Sequence, residues 1–230
     1  MFPITSRSIL DDLGSGDESR KARARERLAD QYWTAIYAYL RYRWRLDPDR
    51  ASELTQELFL RDLERETFAK FDPERARFRT FLRTCADNLV RDQIRYDSAA
   101  KRGAEEVVAF EEAGERELAS ISTTLTPEEA FEQAWRNRVV AMARVRLDSN
   151  LRSRGKAKHA EIFAMFHDED PPPSYADAAA RLAVTVHDVT NWLHAARREW
   201  RTQFSLLLHE GGINQEDLAT ELGRVSARAG

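Results

Sequence analysis

Residues 71–95 read FDPERARFRTFLRTCADNLVRDQIR, a charged turn that runs into a stretch in which arginines alternate with aromatic and aliphatic side chains. After Pro73 neither glycine nor proline interrupts the chain until Gly103, and apolar positions recur at three- and four-residue spacing, which predicts a helix from Phe78 onward. Working outward, the block 17–102 has no glycine, and its only prolines, Pro48 and Pro73, divide it into three helical segments. In the first, Leu28, Tyr32, Ile36 and Tyr39, joined by Tyr37, Leu40 and Trp44, form a broad aromatic face. Pro48 opens the second, where Leu54, Leu58, Phe59 and Leu63 read as inward and Glu53, Gln56, Glu57, Arg61 and Glu64 as polar.

Composition points the same way. Of 230 residues, 33% are charged and 42% hydrophobic, with only 9 glycines and 7 prolines, which suits small helical cores and argues against a β-sandwich or barrel. The expected fold is all-α, with two helical domains joined by an acidic linker. The net charge of -3 hides opposed blocks. Residues 104–132 hold nine glutamates and one arginine, while residues 136–158 hold eight bases and one acid. The acidic stretch, with Gly103, Gly114 and a Ser/Thr run at 120–124, offers little apolar surface and reads as a linker over 103–126. Thr126-Pro127-Glu128-Glu129 then reads as a capping box that opens a helix. The expected organisation is an extension over 1–18, a domain over 19–102, the linker, a domain over 127–209 and a tail over 210–230.

Lysine occurs at five positions, so arginine supplies the other 31 of the 36 bases. Between residues 75 and 102, Arg75, Arg77, Arg79, Arg83, Arg91, Arg95, Lys101 and Arg102 oppose three aspartates. Cations for phosphates beside rings or pockets for unpaired bases are what single-stranded nucleic acid requires; a solvated basic helix is the plainer reading of the same composition. In the second domain, Phe131, Trp135, Val139, Met142 and Val145 mark one helix, and Ile162, Phe163, Met165 and Phe166 another. After Pro171-Pro172-Pro173, Ser174 caps a helix in which Ala178 and Ala179 allow close crossing. Leu182 and Val184 seal a turn, and Val189 and Leu193 anchor the next helix. That is a helix-turn-helix pattern.

Ser52-Glu53-Leu54-Thr55-Gln56-Glu57-Leu58-Phe59-Leu60-Arg61, followed by Phe71-Asp72-Pro73-Glu74-Arg75 and Arg77-Phe78-Arg79-Thr80-Phe81-Leu82-Arg83, resembles region 2 of extracytoplasmic-function (ECF) RNA polymerase sigma factors. Residues 126–208 resemble their region 4. The resemblance implies a factor that binds core RNA polymerase through its β′ clamp and β flap, recognises the -10 and -35 elements of promoter DNA, and is itself no enzyme. Glu53, Leu54, Gln56 and Glu57 would then meet core polymerase. Arg75, Arg77, Phe78, Arg79, Thr80, Phe81, Asn88, Arg91 and Arg95 would melt and hold the -10 strand. Thr185, His187, Thr190, Asn191, His194, Arg197 and Arg198 would face the -35 element, with Asn191 suited to an adenine edge and Arg197 to phosphate or guanine.

The sequence departs from the family where acidic residues usually precede the Gln-Glu pair: Arg50-Ala51-Ser52-Glu53 stands there instead. A Ser/Thr kinase acting on Ser52 or Thr55 would restore negative charge, since a phosphate adds about -1.5 to -2; an anti-sigma factor is the other regulator the resemblance brings. The alternative function is a stand-alone helix-turn-helix regulator that binds duplex DNA without polymerase.

One cysteine, Cys85, excludes an internal disulfide framework and fits a reducing, cytoplasmic setting. No stretch is apolar enough to suggest a membrane partner. The five histidines lack ligand spacing, and His167-Asp168-Glu169-Asp170 reads as a solvated loop, so no metal or other cofactor is expected.

Overall fold

The computed structural model describes residues 8–72, 75–100 and 125–210; most of the expected linker and tail, together with Pro73 and Glu74, lie outside these. Among the described residues every regular element is helical: α1 (Ser8–Leu13), α2 (Glu18–Trp44), α3 (Pro48–Arg65), a 3-10 turn (Phe68–Lys70), α4 (Phe78–Ala100), α5 (Pro127–Ser153), α6 (Ala157–Asp168), α7 (Tyr175–Leu182) and α8 (Val186–Glu210). The all-α expectation holds. Contacts divide the chain into two compact units, one running to Arg138 and the other Val139–His209.

In the first unit, the helix limits follow from local chemistry. Asp17 caps α2 by accepting the Ser19 and Arg20 amides at 2.8 and 3.2 Å. The helix ends where Arg45 turns left-handed, φ 51. Asp47 accepts the Arg50 amide at 2.8 Å and Pro48 takes the first turn of α3, where its missing N–H costs nothing. The expected aromatic face of α2 is buried: Leu28, Tyr32, Ile36, Tyr37, Tyr39 and Leu40 are all sealed from solvent.

Asp62 fixes the far end of α3. It is 1% exposed, its Oδ1 accepts the Phe68 amide at 2.6 Å, and its Oδ2 accepts from Arg25 Nε at 3.2 Å. A buried carboxylate persists only when its lone pairs are used this way, so one side chain ties α2, α3 and the 3-10 turn together. Its charge also falls on Cys85, whose half-buried thiol is pushed up to about 11, chiefly by burial and then by Asp62.

Two stretches outside residues 19–102 pack with the first unit. Ile9 and Leu13 of α1 are buried, and α1 packs on α2 and on the 3-10 turn, so the N-terminal extension contributes to the first unit from residue 8. The capping box forms where expected, with the Thr126 amide donating to Glu129 at 2.8 Å and the Glu129 amide to Thr126 at 3.2 Å. Yet residues 127–138 pack with the first unit, because Phe131 and Trp135 are fully buried beside the Tyr32 ring, with centroids 6.5 and 6.3 Å away.

The second unit is built on the rest of α5, whose buried row is Val139, Ala143, Leu147 and Leu151. Val145, expected inward, is 70% exposed because the helix keeps a strict four-residue spacing here. Gly155 (φ 69) closes the turn, with the Lys156 amide donating to the Leu151 carbonyl at 2.8 Å. Ile162, Ala178, Ala179, Val189 and Leu193 form the core under α7 and α8. His167 ends α6 as a half-buried ring 4.2 Å from Phe163, and burial with Arg197 and Arg144 nearby lowers it to about 4.

Asp62→Ala should lower the stability of the first unit by about 3 kcal/mol or more, and Asp62→Asn by less, because an amide oxygen still accepts from Phe68; urea unfolding measures both. His167 stays neutral when folded but takes a proton near 6.5 when unfolded, so the second unit should lose stability as pH falls from 6.5 toward 4. Thermal melts of His167→Phe should be flatter across that window than those of the parent.

Candidate nucleic-acid interface

α4 has two distinct sides. Phe78, Leu82, Ala86, Leu89 and Val90 are buried, while Thr80, Thr84, Asn88, Arg91 and Arg95 lie exposed along one face at helical spacing. Asn88 Oδ1 accepts from Arg91 Nη1 at 3.3 Å, and Arg95 donates to Asp92 at 2.7 Å. Next to Asn88, Asp87 accepts from Tyr39 Oη at 3.2 Å and Trp44 Nε1 at 2.8 Å, which braces the middle of α4 against the end of α2. Burial and then the Asp87 carboxylate raise the Tyr39 hydroxyl, keeping it a donor. The Arg91 guanidinium lies over the Trp44 ring at 5.9 Å. The loop before α4 adds Arg75, whose side chain is 86% exposed while it pairs with Asp72 at 3.1 Å, and Arg77, also exposed. Hydroxyls, one amide and guanidinium groups in a row can take phosphates and the edge of an unstacked base.

Three expected members of this site sit elsewhere. Phe78 is 3% exposed, its ring 5.1 Å from Phe71, 5.6 Å from Tyr32 and 6.2 Å from Phe68, so it belongs to the core and offers no face to a base. Phe81 is half-buried in the same cluster, 5.3 Å from Phe71. Arg79 is 7% exposed: its Nη1 donates to Glu132, and its guanidinium covers the Trp135 ring at 4.4 Å. Arg83, counted among the basic residues of the stretch, and Thr84 stand outside the expected -10 set, although each follows a member of it by four residues, Arg79 and Thr80.

On α3, Gln56 is exposed, and Glu53 and Glu57 are half-buried while accepting from Arg50 at 2.8 Å and Arg61 at 2.7 Å. Leu54 is 3% exposed and points into the core, which removes it from the expected polymerase-binding set. In its place Leu60 and Leu63 stand 45% and 53% exposed, on the same face as Gln56. Leu63 was expected inward; the buried row runs Ala51, Leu54, Thr55, Leu58 and Asp62, and leaves it outside. Thr55 is fully buried and donates its hydroxyl to the Ala51 carbonyl at 2.7 Å, so a modifying enzyme would have to open the helix to reach it. Ser52 is half-buried and faces the polar side.

Residues 28–99 match the family model for Sigma-70 region 2. Within the first unit, then, residues 28–99 are similar to sigma-70 region 2. The match supports a sigma-factor role in RNA polymerase binding and promoter recognition. No curated protein and no solved structure matches the chain. Among the described residues no helix is long and apolar enough to cross a membrane.

The second unit offers its own polar face. Ser174 accepts the Asp177 amide at 3.1 Å to start α7, and the chain turns at Ala183 (φ 50). Thr185 then caps α8: its Oγ1 accepts the Asp188 amide at 3.1 Å and donates to the Asp188 carboxylate at 2.6 Å. The hydroxyl, together with the Thr185 amide that donates to the same carboxylate at 3.1 Å, lowers the Asp188 carboxyl, and the Thr185 hydroxyl is thereby occupied. His187, Asn191, His194 and Arg198 are exposed along one stripe, with Asn191 Nδ2 2.9 Å from His187 Nε2. Thr190 is half-buried and donates to the Val186 carbonyl at 2.9 Å, and Arg197 is half-buried with its Nε enclosed. Val186, 48% exposed, stands at the head of the stripe.

Phe78→Ala should cost the first unit about 3–5 kcal/mol of stability. Asn88→Ala should change it by no more than about 0.5 kcal/mol. Denaturant titration separates the two, and equal losses would mean that Asn88 is structural.

Proposed function

We propose that the chain is a sigma factor of the ECF type, in which the α4 face of the region 2 domain holds the melted -10 strand and the α8 stripe of a region 4-like second unit reads the -35 element. The observation that carries this reading is the exposed row Thr80, Thr84, Asn88, Arg91 and Arg95 within a domain that matches sigma-70 region 2. Guanidinium groups would hold strand phosphates, and the Asn88 amide, which both donates and accepts, would meet a base edge.

The α3 face would dock on core RNA polymerase at the β′ clamp, with Leu60 and Leu63 supplying apolar contact and Glu53, Gln56 and Glu57 polar contact; the second unit would meet the β flap. In the major groove the Asn191 amide suits adenine and Arg198 suits guanine or phosphate. Among the expected modification sites Ser52 is the accessible one, and a phosphate there would deepen the negative charge of the α3 face. An anti-sigma factor remains a partner of the same reading. The protein would work by binding alone, with no covalent step, in the cytoplasm where core polymerase is found.

Purified chain should bind core RNA polymerase saturably and be displaced by the housekeeping sigma factor, and Leu63→Asp should weaken that binding. In the complex, Arg91→Ala and Arg95→Ala should each lower affinity for a single-stranded -10 oligonucleotide and flatten its salt dependence by about 0.7 in log-log slope. Binding to duplex DNA with no affinity for polymerase would replace this reading with a stand-alone regulator.

A further inference from the structure

The α4 face is only partly open. Glu132, on the second turn of α5, sets one carboxylate oxygen against Arg79 Nη1 and the other 3.7 Å from Arg83 Nη1, bridging two guanidinium groups spaced four residues apart. Each guanidinium also lies over a ring of the same helix, Arg79 over Trp135 at 4.4 Å and Arg83 over Phe131 at 5.4 Å. The side chains of Arg79 and Arg83 are 9% and 18% exposed. One row away, Thr80, Thr84, Asn88 and Arg91 are open to solvent. Two arginines capped by one carboxylate, at the border of a face suited to phosphates, are in the state that a bound strand would otherwise produce.

We propose that residues 127–138 are a built-in competitor of nucleic acid, in which Glu132 occupies with its carboxylate the two α4 arginines, Arg79 and Arg83, that bind strand phosphates once the segment is displaced. The inference rests on the strand-binding reading of α4 given above. The open row lets a strand land at Asn88 and Arg91, and full engagement then exchanges the carboxylate for a phosphate on the same guanidinium groups. The contact is local and its occupant is defined. Arg138 adds a further clasp, donating from Nε to the Asp30 carbonyl at 2.8 Å and from Nη2 to the Asp30 carboxylate. Release therefore means freeing three turns of helix together, which makes the device a threshold rather than a gradual screen.

The test uses the full chain and a fluorescent single-stranded DNA 12-mer at low salt. Glu132→Gln should bind about fivefold more tightly than the parent. Glu128→Gln, which removes the same charge one turn earlier, should gain much less. Arg83→Ala should be nearly neutral in the parent but should abolish the gain in the Glu132→Gln background. Hydrogen exchange on the unmodified chain gives a second readout that needs no variant to fold: adding the oligonucleotide should slow exchange at 80–95 and speed it at 131–138.

If α4 gains protection and Arg91→Ala weakens binding while Glu132→Gln binds no tighter and 131–138 stays protected, the competitor is disproved and strand binding by α4 stands. If no variant binds the strand and neither segment changes its exchange, strand binding by α4 falls and the competitor with it.

Discussion

The buried ring of Tyr32 is where three helices of the first unit meet. Fully enclosed on α2, it takes Phe78 of α4 edge-on at 5.6 Å and packs beside Phe131 and Trp135 of α5. Enclosure drives the tyrosine hydroxyl far above its usual range, so it adds no charge to the centre of the unit. Offset and edge-to-face rings fix both distance and rotation. Because Phe78 is locked here, the phase of α4 is set from its first residue, and each outward residue follows at 100° intervals. A helix held only by aliphatic contacts could roll, and the row that ends in Arg95 would lose its common direction.

The helix starts were readable because they depend on neighbours in sequence. Pro48 after Asp47, Thr126 with Glu129, and Ser174 before Asp177 each satisfy amides within three residues, so the signal and its cause lie in the same short stretch. The helical phase was less readable where both flanks of a helix carry apolar residues. Leu63 and Val145 fit one plausible row each, and only the partner helices decide that the buried rows pass beside them. The end of the first unit was hidden for a similar reason: Phe131 and Trp135 look alike as core residues of either unit until Tyr32 and Tyr39 are seen against them.

The candidate site shows the same limit. Asn88, Arg91 and Arg95 were found because their exposure follows from the helix they sit on. Arg79 was placed with them, yet it is buried by a partner 53 residues away, and no local pattern carries that information. Thr55 looked polar and available, but its hydroxyl satisfies its own helix, an arrangement that suits an inward threonine as well as an outward one. The two polar faces of the first unit also differ in kind. On α3 paired charges surround exposed leucines, whereas on α4 two hydroxyls and an amide lead into exposed guanidinium groups. The first suits a protein surface, the second a polyanion.

The buried Asp62, which joins α2, α3 and the 3-10 turn, has a consequence for the chemistry of α4 as well. Its negative charge reinforces the burial that pushes the Cys85 thiol up to about 11. At neutral pH the thiol then stays protonated, and the thiolate is the form that attacks peroxides and disulfides. The helix that carries the polar row thus bears the one cysteine of the chain in its protonated, less nucleophilic form. Thiol-directed oxidants would then react slowly at this helix, so that the polar row on the same helix keeps its chemistry.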